Sequence, residues 1–308
     1  MSSSFTLRAV VSFVAAALAA CGGGGATNDG TTNLPTPVLA PASDSLVLAV
    51  ADPTYPADSQ DLLAFKTLNA ERSRCGFGLL AQDRRLDAAA RAHREYMALN
   101  QSWSHDEGHE SSGFTGFDPF ARAVHAGYNA SGAGEGLIRG ADAGASMRGL
   151  LAAPYHAISM LSGWKDLGVS FADGVLVNVY GTQGAMQYTD EIRTYPCAGT
   201  SATRSSSTRE TPSPFSNFNE VWGQPILVMS PGKLQLTSVR VKGPLTDVPV
   251  KVIYGNDHDA DPNDICLGLW TCVIPEPLQP LTTYEVQLTW LHSGQPGSRT
   301  FTFQTGRD

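Results

Sequence analysis

The spacing of apolar residues changes once along this chain, and that change limits the architectures open to it. Leu86, Ala89, Ala90, His93, Tyr96 and Met97 recur at steps of three and four, the pattern of a helix with one packed face. Beyond residue 214 the apolar residues alternate instead, as in Tyr284, Val286 and Leu288 or Phe301 and Phe303, the period of a half-buried strand. A helix-rich part followed by a strand-only part predicts an α+β chain. Residues 199–213, rich in Ser, Thr, Arg and Pro, read as the linker between the parts.

The N-terminal region has a different composition. Arg8 precedes an apolar run from Ala9 to Ala20 that is too short to span a bilayer but suits the core of a signal peptide, residues 1–20. Leu18-Ala19-Ala20-Cys21 then reads as a bacterial lipobox, with Cys21 the lipidated residue and a glycine tract behind it. Gly rather than Asp at the second position after Cys21 implies, by analogy with lipoprotein sorting, an outer-membrane or surface address. Residues 21–57 are rich in Gly, Thr, Pro and Ala and read as a flexible tether. At 308 residues the chain is then long enough for two modest domains, residues 58–198 and 214–308.

Helix signals in the first domain are local and chemical. Ser59 caps a helix through Arg72, and Asp83 caps a second to about Asn100. Asp118-Pro119 opens a short helix ended by Gly127, and a fourth begins near Asp142 until Pro154 ends or kinks it, with a new turn over 155–161. Residues 106–116 carry no period and read as a loop. Strands are expected over 168–171 and 175–180. In the second domain strands are expected over 226–229, 234–241, 248–254, 283–291 and 299–305, a spacing that suggests a small β-sandwich.

Three short segments carry a more specific signal: Trp103-Ser104-His105, Gly134-Glu135-Gly136 and Pro154-Tyr155-His156. They are preceded by Leu68-Asn69-x-x-Arg72 and Ala89-Ala90-Arg91-Ala92-His93, and followed by Leu167-Gly168-Val169 and by residues 175–181. In this order they resemble the CAP superfamily, which spans cysteine-rich secretory proteins, antigen-5 allergens and plant pathogenesis-related proteins. The resemblance implies an α/β/α sandwich over residues 58–198, with His105, Glu135 and His156 converging in an open cleft. Two imidazoles and a carboxylate form the ligand set of a zinc site with one position left for water, so His105 and His156 are candidate zinc ligands. Two departures from the family pattern stand out. The second Glu that often precedes the last His is absent from Gly149-Leu150-Leu151-Ala152-Ala153, and Gly136 replaces the customary Asn after Gly-Glu. His93 lies on the apolar face of its helix and reads as a packed histidine, while His109 and His125 read as exposed. Ser104 adjoins His105, but neighbours in an extended segment point apart and there is no Gly-x-Ser-x-Gly elbow, which weighs against serine hydrolysis.

Besides Cys21 the chain has four cysteines, for which three pairings are open. Cys75 with Cys197 is preferred, since one follows the first helix and the other closes the CAP-like segment, with Cys266 and Cys272 as a short staple. Residues 280–288 and Phe301-x-Phe303-x-Thr305-Gly306 resemble the last strands of bacterial immunoglobulin-like modules. Asp257, Asp259 and Asp261 alternate like the start of a calcium loop, but Pro262 and Gly268 occupy the positions where an EF-hand needs Gly and Glu, so calcium is not expected there. A net charge of −8, without basic runs, excludes nucleic acid as an expected partner.

The reading is therefore an exported, lipid-anchored CAP-domain protein of the bacterial cell envelope. It meets the membrane through its anchor and binds a lipid, peptide or partner protein, with no cofactor required and no catalytic residue assigned. Metal-assisted hydrolysis by the His/Glu cleft, and a structural or adhesive role carried by the β-domain, are the alternatives.

Overall fold

Four helices begin on a side chain that accepts a hydrogen bond from their own first turn. Ser59 Oγ accepts from Leu62 N–H at the start of α1 (Gln60–Arg74). After the short strand β1 (Ala81–Gln82), Asp83 accepts from Arg85 N–H to start α2 (Arg84–Leu99). Asp118 caps α3 (Pro119–His125), and strand β2 (Gly132–Arg139) follows. Asp142 caps α4 (Ala143–Leu151), after which α5 (Pro154–Leu161) starts at Ala153 with no side-chain cap of its own. The expected capping residues are thus those found, because short side-chain oxygens can satisfy the free N–H groups of a first turn.

The computed structural model describes residues 45–254, 261, 266 and 269–307. Strands β3 (Asp166–Ala172) and β4 (Val175–Thr182) complete the first sheet, whose order is β1-β3-β4-β2. One face packs on α2 and α3 through Leu86, Ala90, Met97, Leu137, Val177 and Val179. The opposite face packs on α1, α4 and α5 through Leu68, Met147, Leu150, Leu167, Leu176 and Tyr180. This is the expected α/β/α sandwich. Gly168 lets β3 approach α2 closely, since a Cβ there would lie 2.0 Å from the Leu86 carbonyl carbon. Two polar residues on the apolar face of α1 serve the backbone. Asn69 exchanges both hydrogen bonds with the Leu80 main chain at 2.9 Å, and buried Arg72 donates to the carbonyls of Gly78, Met160 and Ser162.

The second half adds β5 (Arg193–Tyr195), β6 (Ser207–Thr208), β7 (Val221–Trp222), β8 (Ile226–Met229), β9 (Leu234–Lys242), β10 (Asp247–Val248), β11 (Val250–Tyr254), β12 (Trp270–Pro275), β13 (Thr283–His292) and β14 (Gln295–Gln304). Two antiparallel four-stranded sheets, β10-β9-β13-β14 and β11-β12-β8-β5, face each other across Val228, Val241, Val273, Val286, Leu288 and Phe303. The outer face of the second sheet is covered as well. Leu227, Met229, Ile253, Trp270 and Ile274 share a core with Leu151, Tyr155, Ile158 and Leu161 of the first half.

That shared core corrects three expectations. Residues 199–213 are built into the fold rather than strung between domains: Thr200, Thr203, Ser205 and Glu210 are buried, and Thr203 N–H donates to the Gln304 carbonyl. Among the described residues the halves form one compact unit, and β5, placed inside the first domain by sequence, pairs with β8 of the second half. The tether is also shorter than expected. Leu79 N–H donates to the Val47 carbonyl, Val47 N–H to Gln187 Oε1, and the Tyr55 ring packs on Phe65. Lipidated Cys21 and the signal segment lie outside the described residues.

Of the two expected disulfides, Cys75–Cys197 is formed and ties the end of α1 to the chain just beyond β5. Cys266 and Cys272, the second expected pair, lie buried side by side with their sulfurs 2.7 Å apart and no bond between them. Burial pushes the Cys272 thiol well above its ordinary range, and the neighbouring Cys266 adds to this.

Candidate functional site

Glu135 sits in the middle of β2, opposite Val179 of β4, so its side chain points into the layer of α2 and α3. There it meets groups from three other segments. His105 Nδ1 lies 2.9 Å from Glu135 Oε1, and Arg122 of α3 donates to Glu135 Oε2 at 2.9 Å. His93 of α2 brings Nε2 to 3.5 Å from Glu135 Oε1. The side chains of Glu135, His93 and Arg122 are fully buried, whereas that of His105 is 40% exposed. Burial alone drives a carboxyl upward. Here the Arg122 guanidinium, the His105 hydrogen bond and the His93 and His105 charges together outweigh it and hold Glu135 down to about 2.

A second buried carboxylate completes this cluster. Glu107, in the loop after α2, accepts from Thr115 N–H at 2.6 Å and Gly116 N–H at 3.3 Å, and its Oε1 lies 2.9 Å from His93 Nδ1. The other nitrogen of His93 lies 2.9 Å from the Ser104 carbonyl oxygen. Both ring nitrogens therefore face oxygen atoms. Two buried carboxylates thus share the Arg122 guanidinium and the His93 ring. Sequence reasoning took His93 for a packed histidine and missed Glu107 and Arg122. Glu107 lies in an aperiodic loop, and Arg122 looks like an ordinary surface cation on a short helix.

The third expected residue, His156, stands in the first turn of α5, its ring 6.2 Å from that of His105 between centroids. Its partner is Glu210, from the stretch expected to be a linker. Glu210 Oε1 lies 2.8 Å from His156 Nδ1 and accepts from His156 N–H, also at 2.8 Å. The missing acid before the last His is thus met by a carboxylate that reaches the ring from the other side of the chain. Gly136 has a steric reason: a Cβ there would lie 2.6 Å from Asn178 Oδ1 and 3.2 Å from the Tyr180 hydroxyl. An Asn at that position would require the Asn178 side chain to move.

The structure thus brings His105, Glu135 and His156 together, but in unequal roles. Both Glu135 oxygens are committed, one to the histidines and one to Arg122, so Glu135 braces a ring rather than offering a third ligand. Among the described residues no hydrogen-bond partner meets Nε2 of either His105 or His156, and no group of three or more His, Cys, Asp or Glu is arranged to hold a metal ion. Ser104 does not engage His105; its hydroxyl accepts from Asp106 N–H. The His109 ring packs against Phe114 at a tilt of 41°. Of the acidic run near the C-terminal half, Asp257 and Asp259 lie outside the described residues. Asp261 is buried and accepts from Cys266 N–H and the Tyr155 hydroxyl.

The histidines and carboxylates so arranged lie on an α/β/α sandwich closed by Cys75–Cys197. The comparison with family models agrees: residues 65–173 match the cysteine-rich secretory protein family, CAP, so the chain carries a CAP domain. Among solved structures it is similar to an extracellular SCP-domain protein from Bacillus anthracis, at 23% identity over 42% of this chain and 45% of that one, with a TM-score of 0.36. It therefore spans less than half the length of that protein. An outer surface protein from Borrelia burgdorferi is 15% identical over 42% of this chain and 96% of its own length, also with a TM-score of 0.36. No curated protein matches the chain. No helix among the described residues is long and apolar enough to cross a membrane.

Proposed function

We propose that the chain is an exported, lipid-anchored CAP-domain protein whose cleft binds an envelope or extracellular ligand, a lipid, peptide or partner protein, without turning it over. One observation carries this reading. Each histidine of the pair has its Nδ1 held by a buried carboxylate, so the pair offers two oriented Nε2 atoms to a ligand, and both oxygens of Glu135 are already committed. A disulfide joining the two ends of the domain supports an oxidising compartment. The lipidated Cys21 and the outer-membrane address belong to this proposal and are checked by intact mass of the membrane-extracted protein.

Zinc fits the pair in one respect and not in another. Imidazoles whose second nitrogen rests on a carboxylate match the outer shell of metal-binding histidines. The His₂Glu ligand set does not fit, because Glu135 has no free oxygen. Zinc would be held by His105 and His156, and when bound it would polarise water. Calorimetric zinc titration of the lipid-free chain, beside a His105→Ala/His156→Ala double variant, tests the cleft. A stoichiometric site lost in the variant is the expected result for two converging imidazoles. Turnover of generic ester or protein substrates that disappears in His105→Ala would replace the binding reading with hydrolysis.

A further inference from the structure

Four of the five helices among the described residues supply their own N-terminal acceptor, and α5 does not. Ala153 has no oxygen to offer the first turn, and Pro154 follows it. The acceptor at that turn is Glu210, 54 residues further along, whose Oε1 takes the main-chain N–H of His156 and faces the Nδ1 of the same residue. We propose that Glu210 is the positioning residue of the cleft: it caps α5 from outside the helix and fixes His156 in the tautomer whose Nε2 lone pair faces the cleft. The proposal rests on the reading of His105 and His156 as the ligand-contacting pair.

The chemistry leaves little freedom. A main-chain N–H can only donate, so Glu210 Oε1 is an acceptor at that position. The ring nitrogen 2.8 Å away on the same oxygen must then carry the proton. In a neutral imidazole this leaves the lone pair on Nε2. A carboxylate at a helix N-terminus also opposes the positive end of the helix dipole. The segment that delivers it is held in place, not relaxed. Arg209 adopts φ +61, a left-handed conformation that favours glycine, and the Glu210 side chain is fully buried within a run of polar residues. The element that completes the cleft therefore lies outside residues 65–173, the stretch that matches the family.

The test reads the ring directly. Long-range nitrogen–proton spectra of the unliganded full chain at mildly alkaline pH report which nitrogen of His156 bears the proton. The wild type is expected to show the proton on Nδ1, Glu210→Ala to show it moved largely to Nε2, and Glu210→Gln, which keeps an acceptor oxygen, to retain the wild-type pattern. A proton on Nε2 in the wild type overturns the proposal, and that result stands even if Glu210→Ala does not fold. A His156 tautomer unchanged in a folded Glu210→Ala overturns it equally, because Glu210 would then only anchor the chain. Zinc titration stays separate: failure to bind zinc would count against the two-histidine cleft, while the tautomer alone decides the role of Glu210.

Discussion

The two cleft histidines are braced in the same way by carboxylates of different origin. Glu135 comes from a central strand and is held by Arg122 and His93 as well as His105, so both its oxygens are used. Glu210 comes from the stretch between the halves; its Oε1 serves His156 twice, and its buried Oε2 has no partner among the described residues. The first brace lies within residues 65–173, with both oxygens engaged by charged or polar partners. The second is delivered by the packing of the second half and depends on that packing staying intact. A histidine pair can thus be oriented by a motif or by a distant segment, and the chemistry at Nδ1 is the same.

The largest effect is expected where the two halves are joined. Replacing both Cys75 and Cys197 by Ser opens a loop with a sequence separation of 122 residues. This should cost about 4–5 kcal/mol in urea unfolding and loosen the Glu210 side more than the Glu135 side. Next comes Arg122→Met, which leaves Glu107 and Glu135 buried without their guanidinium. A loss of about 3–5 kcal/mol is expected in the same assay, and an unchanged midpoint would show that the cluster is not charged as described.

The pH dependence sharpens the contrast. Glu135 falls from an ordinary 4.5 to about 2 on folding, so it stabilises the fold above its unfolded value and loses that contribution as pH drops from 4.5 towards 2. The full contribution is on the order of 3 kcal/mol, and Glu135→Gln should flatten the acid limb of stability against pH. The smallest effect is expected for Glu210→Gln, which keeps the cap acceptor and loses only its charge. About 1 kcal/mol or less in thermal unfolding is expected. A larger loss would show that the Glu210 side is as charge-dependent as the Glu135 side.

Much of the first half was legible because its signals are local. Ser59, Asp83, Asp118 and Asp142 announce helices through the reach of their own side chains, and alternation along β13 and β14 announces a sheet with one buried face. β2 was not expected as a strand, since Gly132, Gly134 and Gly136 disguise it; Gly134 and Gly136 are glycines because Trp164, Asn178 and Tyr180 occupy the space beside them. β12 was missed for the opposite reason. Its Trp-Thr-Cys-Val-Ile-Pro run is buried on both faces, which erases the alternation that marks a half-exposed strand.

The sequence by itself determined the local grammar: which segments form helices, and the order of the motif residues His105, Glu135 and His156. These follow from capping, periodicity and the resemblance those motifs carry. Only the tertiary structure decided that residues 199–213 are interior, that one sheet serves both halves, and that Glu107, Arg122 and Glu210 complete the cleft. The physical reason is that a buried charge is set by what surrounds it, and for Glu210 that environment is assembled from residues 54 positions away in the chain.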